Sequence, residues 1–208
     1  MFAASPLRKI FYWTGGTALA FHYFCHRMSY DLDFFSASPF RYQDVSSFAH
    51  KAAIKFRLKL VEKKIHDRWD FLLTNGKELR FEFAFYNFRA LKPKILWRGI
   101  RIDSLDDMAA NKTMAMIDRK DPKDVYDVYS LIHKAGYAPE KLLSLAYKKF
   151  GARFHKSLFW GEGLQGAKSL DSLRPLLFGK EEDGRKAIQA VKDYFERGAA
   201  DFARIRIE

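Results

Sequence analysis

The chain has one cysteine, Cys25, in 208 residues. One thiol cannot form an internal disulfide, and it cannot supply the several thiolates of a cysteine-based metal centre. Cys25 reads as a buried apolar residue rather than a nucleophile, with no histidine partner at a known spacing. No apolar run approaches the length needed to span a bilayer. The N-terminal MFAASPLRKIFYW also lacks the apolar core and cleavage site of a secretory signal. The expectation is a cytoplasmic protein with no membrane partner. Low-complexity tracts and internal repeats are absent too, so disorder and solenoid architectures are excluded outside the ends. Acidic residues are the scarcer charge, 25 against 37 Lys plus Arg, for a net charge of +12. Such an excess fits a polyanionic partner, because each neutralised phosphate releases counterions; a generally basic solvated surface would give the same total.

What is present is globular in proportion, 48% hydrophobic and 30% charged, enough for one large domain or two small ones. The chemistry concentrates in FYWTGGTALAFHYFCHRMSYDLDFF, Phe11 to Phe35. Ile10 to Trp13 reads as a short buried strand, Gly15 and Gly16 as a tight turn, and a helix is expected from near Thr17. Ala18, Leu19, Tyr23 and Phe24 would bury that helix, with His26 and Arg27 closing its last turn. Its free N–H groups make an anion site. A second strand follows with Asp31 and Asp33. Residues two apart in a strand share a face, so both carboxylates point one way while Leu32 and Phe34 point into the core. Two carboxylates that close repel, and the usual resolution is a divalent cation with oxygen ligands: Mg²⁺ when phosphates complete its shell, or else Mn²⁺. The competing reading is a polar strand end. His22 and His26 have the i, i+4 spacing of a zinc pair, but no third ligand follows and packing is the better account.

Further along, Tyr42 to Phe56 carries a helical apolar stripe of Val45, Phe48, Ala49, Ala52, Ala53 and Phe56. A strand from Phe56 to Ile65 follows, then Trp69–Thr74 and Leu79–Tyr86 flank Asn75-Gly76, a strong hairpin signal. In its second arm Phe81, Phe83 and Phe85 share one face while Arg80 and Glu82 share the other. Glu82 is therefore either a third carboxylate or an ordinary solvent-facing strand residue. Leu96 to Ile102 reads as a last, edge strand.

Near Asp103 the composition turns helical, giving domains of 1–103 and 104–208. Ser104-x-x-Asp107 starts a helix in which Lys112 shares a stripe with Leu105, Met108, Ala109 and Met116. Lys112 either snorkels to water or points at a phosphate. Asp121-Pro122 opens another helix, ending at Gly136, with Val125, Val128, Tyr129 and Ile132 buried. Asp124 at the edge of that face either neutralises Lys112 or Arg119 or orients a substrate group; Asp127 lies further toward solvent and is structural. Glu140–Phe150 and Glu181–Arg204 read as helices, the latter with Ile188, Val191 and Phe195 inward, and residues 151–180 as loop with one turn near Leu170–Leu173. Arg153, His155, Lys156, Lys168, Arg174, Lys180, Arg185 and Lys186 make this half either a polyanion surface or a solvated bundle.

With these motifs in place the chain resembles the polymerase-β-like nucleotidyltransferases, and more closely the AbiEii-type abortive-infection toxins. The likeness lies in TGGTALAFHYFCHRMSYDLDFF and NKTMAMIDRKDPKDVYDVY. It implies an α+β fold: an N-terminal nucleotidyltransferase domain with a mixed twisted sheet flanked by helices, and a C-terminal helical bundle. The resemblance also implies Mg²⁺ on Asp31 and Asp33, a triphosphate cradled by Gly15, Gly16 and Thr17, and support from Arg27, Ser29, Lys112 and Asp124. Its members commonly serve as toxins paired with a cognate antitoxin, and some relatives extend the acceptor end of tRNA. Lys123 stands where the family has arginine, Glu82 where the wider superfamily has aspartate, and the segment before Gly15 is short for the family. The expected reaction is in-line transfer of a nucleoside monophosphate from an NTP to an acceptor hydroxyl, with Lys112 on the triphosphate and Glu82 as base. The alternatives are a catalytically weak RNA- or protein-binding module, transfer to a small molecule or protein, and kinase-like use of the γ-phosphate.

Overall fold

Strand alternation decides which side chains meet the core. In the computed structural model, which describes residues 1–65, 68–76 and 78–204, seven strands of those residues form one mixed sheet. They are β1 (Tyr12–Thr14), β2 (Asp31–Ser36), β3 (Lys59–Ile65), β4 (Arg68–Thr74), β5 (Glu78–Phe85), β6 (Ile95–Trp97) and β7 (Ile100–Ile102), in the order β3-β4-β5-β2-β1-β7-β6. β2 runs parallel to β5 and β1 parallel to β7, while the other neighbours are antiparallel. One face is apolar: Phe34, Phe71, Leu73, Phe81 and Phe83 are all buried on it. The helix Tyr42–Phe56 covers that face, its Phe48 ring lying 5.8 Å from Phe81 and 6.1 Å from Phe83. Burying each such ring contributes roughly 2–3 kcal/mol, so this aromatic layer fixes which way the opposite, charged face turns.

The chain divides into two units, Met1–Tyr23 with Ser29–Ser104, and Phe24–Met28 with the residues from Leu105 onward. The first contains the sheet, the helix α1 (Gly15–Ala18, continued as a π-helix over Leu19–Phe24) and α2 (Tyr42–Phe56). The second is helical: α3 (Leu105–Arg119), α4 (Pro122–Ala135), α5 (Pro139–Phe150), α6 (Lys156–Ala167), a 3-10 turn over Leu170–Leu176 and α7 (Glu181–Arg204). Asp121 caps α4 by accepting from the Lys123 N–H at 2.8 Å, and Gly136 ends it at φ 69°.

Several local expectations need correcting. The first strand begins at Tyr12, and Ile10 is exposed. The helix after the glycines begins at Gly15 and ends at Phe24, so His26 and Arg27 are not in its last turn; Cys25, at φ 48° just beyond it, is exposed rather than buried. Leu96–Ile102 is not one edge strand but the hairpin β6–β7, turning where Arg98 and Gly99 have φ of 48° and 78°. Phe56 is exposed at the end of α2. In 151–180, α6 forms despite Gly161, Gly163 and Gly166, residues that ordinarily weaken a helix. The packing explains it: a Cβ on Gly163 would meet the Phe195 ring at 2.3 Å, and one on Gly166 would meet Val125 at 2.6 Å. Small residues are what allow α6 to approach its neighbours that closely.

Candidate active site

The charged face of the sheet gathers the acidic residues by register. Asp33 is opposite Glu82, and Asp31 opposite Arg80, across the parallel β2–β5 pair; Glu82 is in turn opposite Asp70 of β4. Three carboxylates therefore stand in one row across three strands. A row of like charges needs compensation, and arginines supply part of it: Arg80 Nη2 binds Asp31 Oδ2 at 2.9 Å, and Arg68 Nη1 lies 3.3 Å from Glu82 Oε2. Compensation is incomplete at Glu82. Burial and then the Asp33 charge push its carboxyl up to about 7, against a weaker opposing pull from Arg68.

Gly15 explains how Asp33 fits. At φ 75° it occupies the left-handed region, and a Cβ there would fall 1.8 Å from Asp33 Oδ2. The Asp33 carboxylate thus rests on the bare backbone at the turn. Gly15→Ala should displace that carboxylate, and a shift of this size costs activity about 10²-fold, measurable in any transfer assay on the purified variant. Close by, the Thr17 hydroxyl donates to the Asp31 carbonyl and lies 2.8 Å from Ser29 Oγ. Both hydroxyls hold the start of β2 in place. The end of β1 is braced as well, since Thr14 Oγ1 donates to Asp103 Oδ2 at 3.0 Å and Lys94 Nζ lies 2.7 Å from Asp103 Oδ1.

Among the described residues, no three His, Cys, Asp or Glu side chains already converge as a metal-ligand set. The donor chemistry of the row nevertheless suits a hard divalent cation: all-oxygen ligands, on one face, with Asp33 raising Glu82. A carboxyl raised in the folded state favours folding at low pH and opposes it as pH rises. In chelator, the protein should lose roughly 3 kcal/mol between about pH 4.5 and pH 7. Denaturant melts across that range would read it, and Glu82→Gln should flatten the dependence.

Lys112, Asp124 and Arg27 lie in the second unit and are brought together there: Asp124 neutralises Lys112 and Arg119, as helical spacing suggested, and Asp127 and His26 join them, which it did not. Asp127 is at the centre. It accepts two bonds from Arg27, at 2.7 Å each, and one contact from His26 Nε2 at 2.7 Å, and lies 2.6 Å from Lys112 Nζ. Lys112 also donates to Asp124 at 2.8 Å, and Arg119 Nε to Asp124 at 2.6 Å. Lys112 therefore neither snorkels nor ends in solvent; it is buried between two aspartates. Burial opposes ionisation of Asp127, but Lys112 and Arg27 overcome this and hold its carboxyl well below the usual range. Asp127 is thus completely buried, not solvent-facing, and α4 turns Asp124, Asp127 and Leu131 inward while Tyr129 and Ile132 are only half-buried. Asp107, in the first turn of α3 as expected, is likewise buried, 2.8 Å from Lys149 Nζ.

The signal for Arg80 was in the sequence and that for Asp70 was not. Arg80 alternates with Glu82, but a two-residue turn at Asn75-Gly76 would put Phe81 opposite Asp70; the observed register, Thr74 opposite Glu78, is shifted by one and brings Asp70 to Glu82. His26 and Asp127 had no such local sign, because they meet across 101 residues.

A family model described as nucleotidyl transferase AbiEii toxin, type IV toxin–antitoxin system, matches residues 1–206. An uncharacterized Aquifex aeolicus protein, aq_aa25, is 32% identical over 148 residues, 67% of this chain and 66% of that protein. The aligned part is thus just under two thirds of that relative's length. Among solved structures, a candidate nucleotidyltransferase from Helicobacter pylori superposes with a TM-score of 0.59 at 16% identity, covering 97% of this chain and 91% of that one. The nucleotidyltransferase toxin MenT4 from Mycobacterium tuberculosis has a TM-score of 0.50 at 14% identity, covering 92% and 79%. At such identities these likenesses concern the fold. No helix of the described residues is long and apolar enough to cross a membrane.

Proposed function

The chain belongs to the AbiEii nucleotidyltransferase toxin family, and on that premise we propose that it transfers a nucleoside monophosphate from an NTP to a hydroxyl of RNA, at the acceptor end of tRNA, the acceptor oxygen bonding to the α-phosphorus as pyrophosphate leaves. The observation that carries this reading is the row Asp33–Glu82–Asp70 on one sheet face, with Asp33 seated on the Gly15 backbone beside a helix start.

Asp31, Asp33 and Glu82 would hold Mg²⁺ or Mn²⁺, which supplies charge neutralisation at the transferring phosphoryl group and activation of the acceptor oxygen. Asp31 would join that set by giving up its bond to Arg80, and the guanidinium would then be available to phosphate oxygens. Gly15, Gly16 and Thr17 present the first N–H groups of α1 to the triphosphate. Glu82, opposite Asp33 and buried, would take the acceptor proton. Arg27, Lys112 and Asp124 serve as the rigid charged core of the helical unit, and Ser29 with Thr17 fixes the entry to β2. The family implies a cognate antitoxin as partner.

A second reading is a binding module without turnover, favoured by the Arg80–Asp31 and Arg68–Glu82 ion pairs, which offset part of the negative charge of this face without a metal ion. Incubation with α-labelled NTPs, Mg²⁺ and total tRNA separates the two. Label in acid-precipitable RNA is expected. Label in a small soluble product or in protein would move the acceptor to those classes, and no label at all would favour the binding module.

A further inference from the structure

The net charge of +12 is not spread evenly. Between Lys51 and Lys64 there are six cations, Lys51, Lys55, Arg57, Lys59, Lys63 and Lys64, and one acid, Glu62. Glu62 is turned toward α2, where it accepts from Tyr42 and from Ser46 Oγ at 3.2 Å. All six cations are exposed. Among the described residues none forms an ion pair; Lys55 and Lys64 lie instead over the rings of Phe56 and Trp69, at 5.9 and 5.4 Å. Several basic residues of the C-terminal half differ in this respect: Lys156 is paired with Glu140, Arg174 and Arg185 with Glu181, and Lys186 with Glu182. A run of six cations without an ion pair among the described residues thus lies on α2, β3 and the turn between them, in the same unit as the carboxylate row.

Register connects the two. Asp33 is opposite Glu82, Glu82 opposite Asp70, and Asp70 opposite Lys63. Opposed residues share a face, so Lys63 stands on the face of Asp33, and alternation puts Lys59 and exposed Val61 there too. Three strand spacings at roughly 4.8 Å place β3 about 14 Å from β2, a reach of a few nucleotides.

We propose that the β3 edge, through Lys59 and Lys63 with Arg57 at its start, binds the phosphate backbone of single-stranded RNA whose end lies at the Asp33–Glu82 row. The inference rests on the reading of RNA as acceptor. Charge complementarity selects a polyanion, and register with the carboxylates selects one that delivers a terminus to them. Lysines on an edge strand also discourage strand pairing between copies, and that function alone would leave RNA binding untouched.

The test uses the full chain carrying Asp31→Asn and Asp33→Asn, without NTP, so that binding is read independently of transfer; failure of transfer in the unaltered protein would reject the acceptor reading and leave this result standing. Affinity for a short 5′-labelled single-stranded RNA is measured across a salt series. Lys59→Gln plus Lys63→Gln should weaken binding about 25-fold near 0.1 M salt and reduce the log–log salt slope by about 1.4. Lys59→Arg plus Lys63→Arg should retain both values, as should Lys156→Gln plus Lys186→Gln. Unchanged affinity and slope in the Lys59/Lys63 glutamine variant would overturn the proposal. So would an equal loss in the Lys156/Lys186 variant, or wild-type binding to phosphatidylserine vesicles in place of RNA.

Discussion

Asp33→Asn is expected to reduce nucleotidyl transfer by about 10³-fold or more while leaving the protein at least as stable as before. The two halves of this result have one cause. Asp33 lies opposite Glu82 and raises its carboxyl, so the negative charge at this point works against the folded state. An amide of the same shape relieves the repulsion and still fits over Gly15, but it cannot balance cationic charge at the transferring phosphate. Activity and melting temperature should therefore move in opposite directions or the latter not at all. Loss of both together would identify Asp33 as a structural residue and remove the main support for catalysis at this face.

Asp127→Ala should behave in the opposite way, with a loss of about 3–5 kcal/mol. Arg27, His26 and Lys112 all converge on Asp127, and Arg27 is 3% exposed. Removing the carboxylate leaves buried cations with too little compensation. Urea denaturation reads the loss directly. The wild-type contribution has a defined pH window: Asp127 is held well below its ordinary value of 3.8, so this stability is present above about pH 4 and lost as pH falls below it. A loss under about 1 kcal/mol would show that water or rearranged neighbours already satisfy those cations.

The sheet was legible to the extent that its signals were local. Alternation of Phe81 and Phe83 with Glu82, the Asn75-Gly76 turn and the Gly15-Gly16 turn before Asp31 and Asp33 all act within a few residues and locate the strands, whereas the mixed sheet of the α+β fold was implied by the family resemblance. The elements that were misread answer to tertiary packing. Three glycines disguise α6 because its rule is close approach to Phe195 and Val125, which no local propensity encodes. Asp127 seemed solvent-facing for a related reason: an acidic residue is inward only when cations distant in sequence await it, here Arg27 and Lys112. By contrast α2 ends where its apolar stripe ends, at Phe56, with Arg57 at φ 54° closing it. For the site, the carboxylates were readable from period-two spacing, whereas the part played by Gly15 emerged only from the 1.8 Å separation between its missing Cβ and Asp33.

The most direct test of nucleotidyl transfer compares ATP labelled at the α-phosphate with ATP labelled at the γ-phosphate, each incubated with Mg²⁺, total tRNA and either the unaltered chain or Asp31→Asn plus Asp33→Asn. The account predicts α-label in RNA, no γ-label, and neither with the double variant. Incorporation of the γ-label, or α-label incorporation that survives loss of both aspartates, would contradict it.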